Sequence, residues 1–328
     1  MKLVVVNEQL IGKIIANPIY TEKGVMFFNK GMILSSAAIS RLKNMGINTL
    51  YVEDENDGIT LQEVLPIKIR LSCMKTLVEI FDEIKNRQFI DDKKVNTILK
   101  DIICNINLSE NATLISNIAP NANLSKLAMH SIDVTIFSLI LGIKKKYNDT
   151  KLMNLGVASL LHDIGKLFIG NSDHVKLGYE IVKKNNLFAA TTYMAIHYLY
   201  EREDASGPFG ISGTKLHEFV KILSVCNEYV KIINGEESLL PHEAIEKLTA
   251  IAITKYDKDI FKEFLESIYC YPNGLSVKLN NDISGVVVMQ NKGVTTRPII
   301  GVFKDNAYSF CNLLEKCNLT LFIKEVAL

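Results

Sequence analysis

Between Leu124 and about Tyr269 apolar residues recur at helical spacing, and several of those apolar stripes carry a polar residue that such a stripe rarely tolerates. Leu127, His130, Val134, Phe137 and Leu141 follow 3, 4, 3, 4 spacing, which puts His130 on the inward face of one helix. Leu155, Ala158 and His162 do the same on the next, and His174, Leu177 and Ile181 share a third face. Ala190, Met194 and His197 define a fourth, and Val220, Leu223, Asn227 and Val230 a fifth. One buried histidine is ordinarily a hydrogen-bonded core residue. Leaving such a group unpartnered costs about 1–3 kcal/mol, so five of them turned toward one interior point to a shared metal centre. The expected fold class is mainly α.

Leu160-Leu161-His162-Asp163-Ile164-Gly165-Lys166 is the densest chemistry in the chain. Adjacent His and Asp offer a ring nitrogen and a carboxylate to one divalent ion, and the carboxylate can bridge to a second. Gly165 is expected to let the backbone turn sharply, and Lys166 supplies a cation where a phosphate could sit. After Gly170-Asn171-Ser172-Asp173, read as a helix N-cap, His174 opens the next helix.

The flanks read differently. Residues 1–57 form a small α/β module, with strands near Leu3–Val6, Val25–Phe28 and Thr49–Val52 and a helix capped by Ser35 and stopped at Gly46. Residues 58–120 form a helical connector whose two helices break at Asp91-Asp92, residues 121–270 the helical domain, and 271–328 a β-rich tail. With 37 basic and 36 acidic residues the chain has no overall basic field, so long nucleic acid is not an expected partner. Six scattered cysteines form no C-x-x-C pair, the N-terminal apolar run is too short for a signal peptide, and the stretch Val134–Ile143 is too short for a membrane span. The expected location is cytoplasmic.

Several stretches together resemble the HD-GYP family of the HD superfamily of metal-dependent phosphohydrolases. These are Met129-His130-Ser131-Ile132-Asp133-Val134, Leu161 to Lys166, His174-Val175-Lys176-Leu177-Gly178, Ile222 to Tyr229, and Tyr271-Pro272-Asn273-Gly274. The resemblance implies an HD-type helical bundle core and metal ligands at His130, His162, Asp163, His174 and Asn227. It also implies catalytic roles for Asp163 and Lys166, substrate contacts from Lys166 and Arg202, and one or two divalent transition ions (Fe, Mn or Zn). The chain departs from the pattern where the family has two adjacent histidines, here Leu199 and Tyr200, and where its closing aspartate is Asn227. The Gly-Tyr-Pro loop is reduced to Asp204-Ala205-Ser206-Gly207-Pro208-Phe209-Gly210, and Lys126 stands where members with a third metal carry glutamate.

Asparagine can offer a carbonyl oxygen but brings no charge to a two-metal site. The leading expectation is therefore a degenerate HD-GYP-like signalling protein that binds cyclic di-GMP, a related nucleotide or a protein partner through residues 201–210. An active metal-dependent phosphodiesterase acting on cyclic di-GMP is the alternative, and another HD-type nucleotide phosphohydrolase a third. A homodimer is open.

Overall fold

The computed structural model describes residues 1–53, 62–109, 112–113, 118–168, 174–235, 239–304 and 307–326. The acidic connector at Asp54–Gly58 and the N-cap signal at 170–173 lie outside these residues. The chain divides into two compact units, one formed by 1–67, 107–121 and 268–328, the other by 68–106 and 122–267. The four expected segments are thus regrouped. The physical reason lies at Gly274, whose carbonyl accepts from Leu3 N at 2.9 Å while Leu3 and Leu275 form a parallel bridge, so the N-terminal module and the tail are one body.

In that first unit β1 (Lys2–Val5) pairs antiparallel with β4 (Thr49–Val52), and β2 (Ile19–Thr21) lies between β3 (Met26–Phe28) and the short β7 (Ile118–Ala119). Two-residue strands β5 (Gln62–Glu63) and β6 (Ala112–Thr113) pair in parallel. Helix α1 (Ser36–Asn44) starts where Ser35 accepts from Ala38 N, and Gly46 follows it at φ +73°. Its Ile39 and Leu42 pack into a core with Val4, Ile15, Ile19, Phe28 and Leu50. The tail is a five-stranded antiparallel sheet in the order β11-β10-β9-β8-β12, built from β8 (Ser276–Leu279), β9 (Ser284–Met289), β10 (Ile299–Lys304), β11 (Ala307–Asn312) and β12 (Ile323–Val326). Tyr51 donates its hydroxyl to the carbonyl of Asn273 at 3.2 Å.

The second unit is helical. It contains α2 (Ile67–Arg87), α3 (Asp92–Asn105), α4 (Asn123–Lys144), α5 (Asp149–Leu161), α6 (His174–Lys184), α7 (Ala190–His197), α8 (Glu218–Ile233), α9 (Pro241–Lys255) and α10 (Lys258–Leu265). Asp91 caps α3 by accepting from the backbone of Lys93 and Lys94, which explains the break read there. Helix α4 packs against α5 and α8, α5 and α8 both contact α7, and α7 packs on α6. Residues 128–142 of α4 are nearly all buried, so its apolar surface goes all the way round, as in a helix at the middle of a domain.

One expectation about α4 is corrected. Its 22 residues are long and apolar enough to cross a membrane by length and composition, because the helix runs well beyond the Val134–Ile143 stretch. In the fold, however, 72% of that apolar window is buried inside the protein. Arg70 on α2 forms an ion pair with Asp133 on α4, and Asn234 donates to the other Asp133 oxygen at 2.9 Å. This buried pair registers α2 and the end of α8 against the turn of α4 that carries His130.

Candidate metal centre

Three helices and one turn bring the central side chains together. His130 sits on α4, Asn227 on α8, and His162 and Asp163 immediately follow α5, where the chain enters a 3-10 turn over Ile164–Leu167. Gly165 makes this turn possible for a reason other than the one expected. A Cβ at this position would lie 1.8 Å from the carbonyl oxygen of His174, so Gly165 is required by close backbone approach, and its φ lies outside the left-handed region. That approach draws the start of α6 onto the His-Asp turn.

His162, Asp163, His174 and Asn227 are buried, and His130 is partly so. His130 Nε2 lies 3.2 Å from His162 Nε2, 3.0 Å from Asn227 Oδ1 and 3.5 Å from Asp163 Oδ2. His162 Nε2 is 3.3 Å from the same Asp163 oxygen. Each of His130, His162 and Asp163 offers one ligand atom, all within 4.8 Å of one another. The second nitrogen of His162 stands 2.7 Å from the carbonyl oxygen of Ser159, which can only accept. Nδ1 therefore carries a hydrogen, and Nε2 is the nitrogen that faces the cluster. Burial, helped by neighbouring His162, lowers His130 to about 3 and keeps that ring neutral. Burial opposes ionisation of Asp163, but His162, His174 and Lys166 outweigh it and hold the carboxyl well below the usual carboxylate range. Two imidazole nitrogens, one carboxylate and an amide oxygen are a donor set suited to a divalent transition ion.

Asp163 has a second side. Its Oδ1 is buried and, among the described residues, its nearest polar neighbour is His174 Nε2 at 3.5 Å. His174 Nε2 is in turn 3.3 Å from the Tyr200 hydroxyl, whose ring meets the imidazole edge-on. Lys231 Nζ donates to that hydroxyl at 3.2 Å, and the Asn227 side chain also hydrogen-bonds Tyr200. Burial raises the Tyr200 phenol above its ordinary range, with the Asp163 charge adding to it.

The remaining candidate residues separate from this group. Lys166, expected beside a phosphate, places its ammonium 2.5 Å from Asp163 Oδ2. Arg202, expected at the substrate, is exposed and donates to Ser206 Oγ at 3.4 Å, and no contact joins it to the cluster among the described residues. His197 is held among Tyr179, Tyr198 and Phe209, with ring centroids 4.3–4.9 Å away, so the fourth helical stripe does not deliver a ligand. Leu199 is wholly buried core. Lys126 is exposed. Glu201 is buried and accepts from Phe209 N and Ile211 N, both at 2.7 Å, which ties the 201–211 loop into a fixed shape. Tyr200 and Lys231 were missed by sequence reasoning. The available signal was spacing, because Lys231 is four residues beyond Asn227 and shares its face of α8.

The helices that carry the cluster coincide with a family match. A family model for the HD domain matches residues 127–233, from one turn before His130 to the end of α8. This segment is an HD domain. The chain is 23% identical to Cyclic di-GMP phosphodiesterase PA4108 of Pseudomonas aeruginosa over 84% of its own length and 79% of that protein's. It is also 23% identical to Cyclic di-GMP phosphodiesterase PdeB of Borreliella burgdorferi, over 51% of this chain, which spans about half (50%) of that relative. Among solved structures, Bd1817, a HDG"Y"P protein from Bdellovibrio bacteriovorus, superposes with a TM-score of 0.47 at 16% identity, covering 80% of this chain and 98% of that one. The matched segment includes His130, the His-Asp turn, His174 and Asn227.

Proposed function

We propose that the HD domain holds one divalent transition ion, iron, manganese or zinc, on His130, His162 and Asp163, with Asn227 as a neutral fourth donor. We further propose that it binds cyclic di-GMP there as a signalling module. The observation that carries this reading is the asymmetry of Asp163. One carboxylate oxygen lies against two histidines and the Lys166 ammonium, whereas the other lies against His174, behind which stand Tyr200 and Lys231. When bound, the ion would polarise a phosphoryl oxygen or acidify a water.

The protein's own groups orient that site. Ser159 fixes the His162 tautomer, Tyr200 fixes the Asn227 amide so that its oxygen faces His130, and Lys166 balances the Asp163 charge. Hydrolysis by two metals needs a second ion to share Asp163, and the tyrosine and lysine stand on that side. A metal-dependent phosphodiesterase is the second reading, favoured by the buried Asp163 Oδ1, which among the described residues has only His174 near it and could accept from a water or hold a cation. The likeness to two cyclic di-GMP phosphodiesterases supports the nucleotide class in either case.

Calorimetric titration of metal-loaded protein with cyclic di-GMP, followed by chromatography of the mixture, tests the proposal. Binding without linear product is expected. Sustained product formation that stops on metal removal favours the phosphodiesterase, and absence of binding rejects the cyclic di-GMP reading.

A further inference from the structure

Lys231 is a half-buried ammonium beside the cluster, and it makes no ion pair among the described residues. Its hydrogen bond goes to the neutral Tyr200 hydroxyl, and it lies 4.9 Å from the centre of that ring. An ammonium has three donors, so two stay available. Among the described residues the carboxylates whose charge reaches Tyr200 are Asp163, matched by Lys166 at 2.5 Å, and Glu228, matched by Lys255 at 3.3 Å. Any divalent ion added to the histidines would leave the pocket with an excess of positive charge and two lysines, and a cation in a partly desolvated site favours an anion strongly. Tyr200 aims the ammonium, because its ring is set edge-on against His174 and its oxygen is also bonded by Asn227. Lys231 and Asn227 stand one turn apart on α8, so the ammonium and the proposed metal lie on the same side of that helix.

We infer that Lys231, steadied by Tyr200, is the seat for a phosphoryl oxygen of the bound phosphodiester, a built-in cation on the side of Asp163 where a second metal would otherwise carry that charge. The inference rests on the proposed phosphodiester-binding function and names the residue that would select for the anion. Lys231 acts here as a binding residue, and Tyr200 as a positioning residue.

The test uses the full chain loaded with manganese and inorganic phosphate as probe, read by calorimetry, with metal content and thermal melting recorded for each variant. Lys231→Met keeps the aliphatic stem and should weaken phosphate binding about 10-fold or more, the change expected when a charge-assisted hydrogen bond is lost. Lys231→Arg should recover most of it, and Tyr200→Phe should weaken it a few-fold by releasing the ammonium. Lys43→Met, in the other unit, should leave it unchanged. Metal content should stay constant throughout, which separates loss of the anion seat from collapse of the site. Phosphate affinity unaltered by Lys231→Met, or no phosphate binding by the wild type, overturns the inference. If phosphate binds through Lys231 while cyclic di-GMP does not bind, the seat stands for another phosphoanion and the cyclic di-GMP reading falls by itself.

Discussion

The two oxygens of Asp163 face opposite kinds of chemistry. Oδ2 lies within 3.5 Å of His130 and His162 and 2.5 Å from the Lys166 ammonium, and the two ring nitrogens with the nearby Asn227 oxygen suit a metal ion that would compete with that lysine. Oδ1 faces His174, behind which stand a phenol and an ammonium, partners suited to an anion. One carboxylate therefore joins a metal-type half to an anion-type half. On the proposed reading, the site would hold one ion and lack the charge pattern that a second ion requires.

The strongest way to break this comparison is to remove the shared residue. Asp163→Ala should abolish metal binding, a loss larger than the ~10–100-fold seen when only an outer hydrogen bond is removed. Metal analysis after gel filtration reads it directly, and full retention of metal would place the ion elsewhere.

Making the anion-type half resemble the other should have the next largest effect. Tyr200→His with Lys231→Gln supplies an imidazole and removes the ammonium, so metal content should rise from about one toward two ions per chain, each change acting within one cluster and not additively. Asn227→Asp should raise metal affinity on the first half by adding a charged ligand of similar size. A metal content unchanged in the Tyr200→His, Lys231→Gln variant would count against the asymmetry.

How much of this was legible in the sequence depends on which half is considered. His130, His162 and Asn227 were readable because helical spacing turns them inward, and the His-Asp-Ile-Gly-Lys run marks the turn between α5 and α6. The HD fold and the two flanking β-rich modules were also readable, whereas the union of those modules into one unit depends on the Leu3–Gly274 contact, which joins residues far apart in the chain. The anion-type half was not read. Tyr200 looked like a lost histidine, and nothing local announces that a tyrosine there reaches His174 and Lys231. His197 illustrates the opposite error, since its periodicity is sound but its ring is taken by Tyr179 and Phe209. Gly165 was assigned to turn geometry when the deciding term is its contact with the His174 backbone.

A smaller effect separates the loop from the metal half. Glu201→Ala removes the acceptor of two part-buried backbone N–H groups, which should cost on the order of 1 kcal/mol of stability each while metal content stays unchanged. Thermal melting with metal analysis on the same samples checks it, and loss of metal would tie the loop to the cluster.

Acid should act most gently. The folded protein keeps His130 neutral down to about 3, whereas in the unfolded chain it protonates near 6.5. The unfolded state thus binds the proton first, and stability is full above about 6.5 and falls as pH drops toward 3. For metal-free protein the loss between pH 6.5 and 5 should be on the order of 1–2 kcal/mol, and it should vanish in His130→Gln. Denaturant melts at the two pH values decide it.

The central claim is the single ion on the His130, His162 and Asp163 side, and the most direct measurement is elemental analysis of gently purified wild-type protein. About one divalent transition ion per chain, lost in His162→Ala, is the result expected from the two unlike faces of Asp163. No metal under saturating conditions, or two ions bound equally tightly, contradicts it.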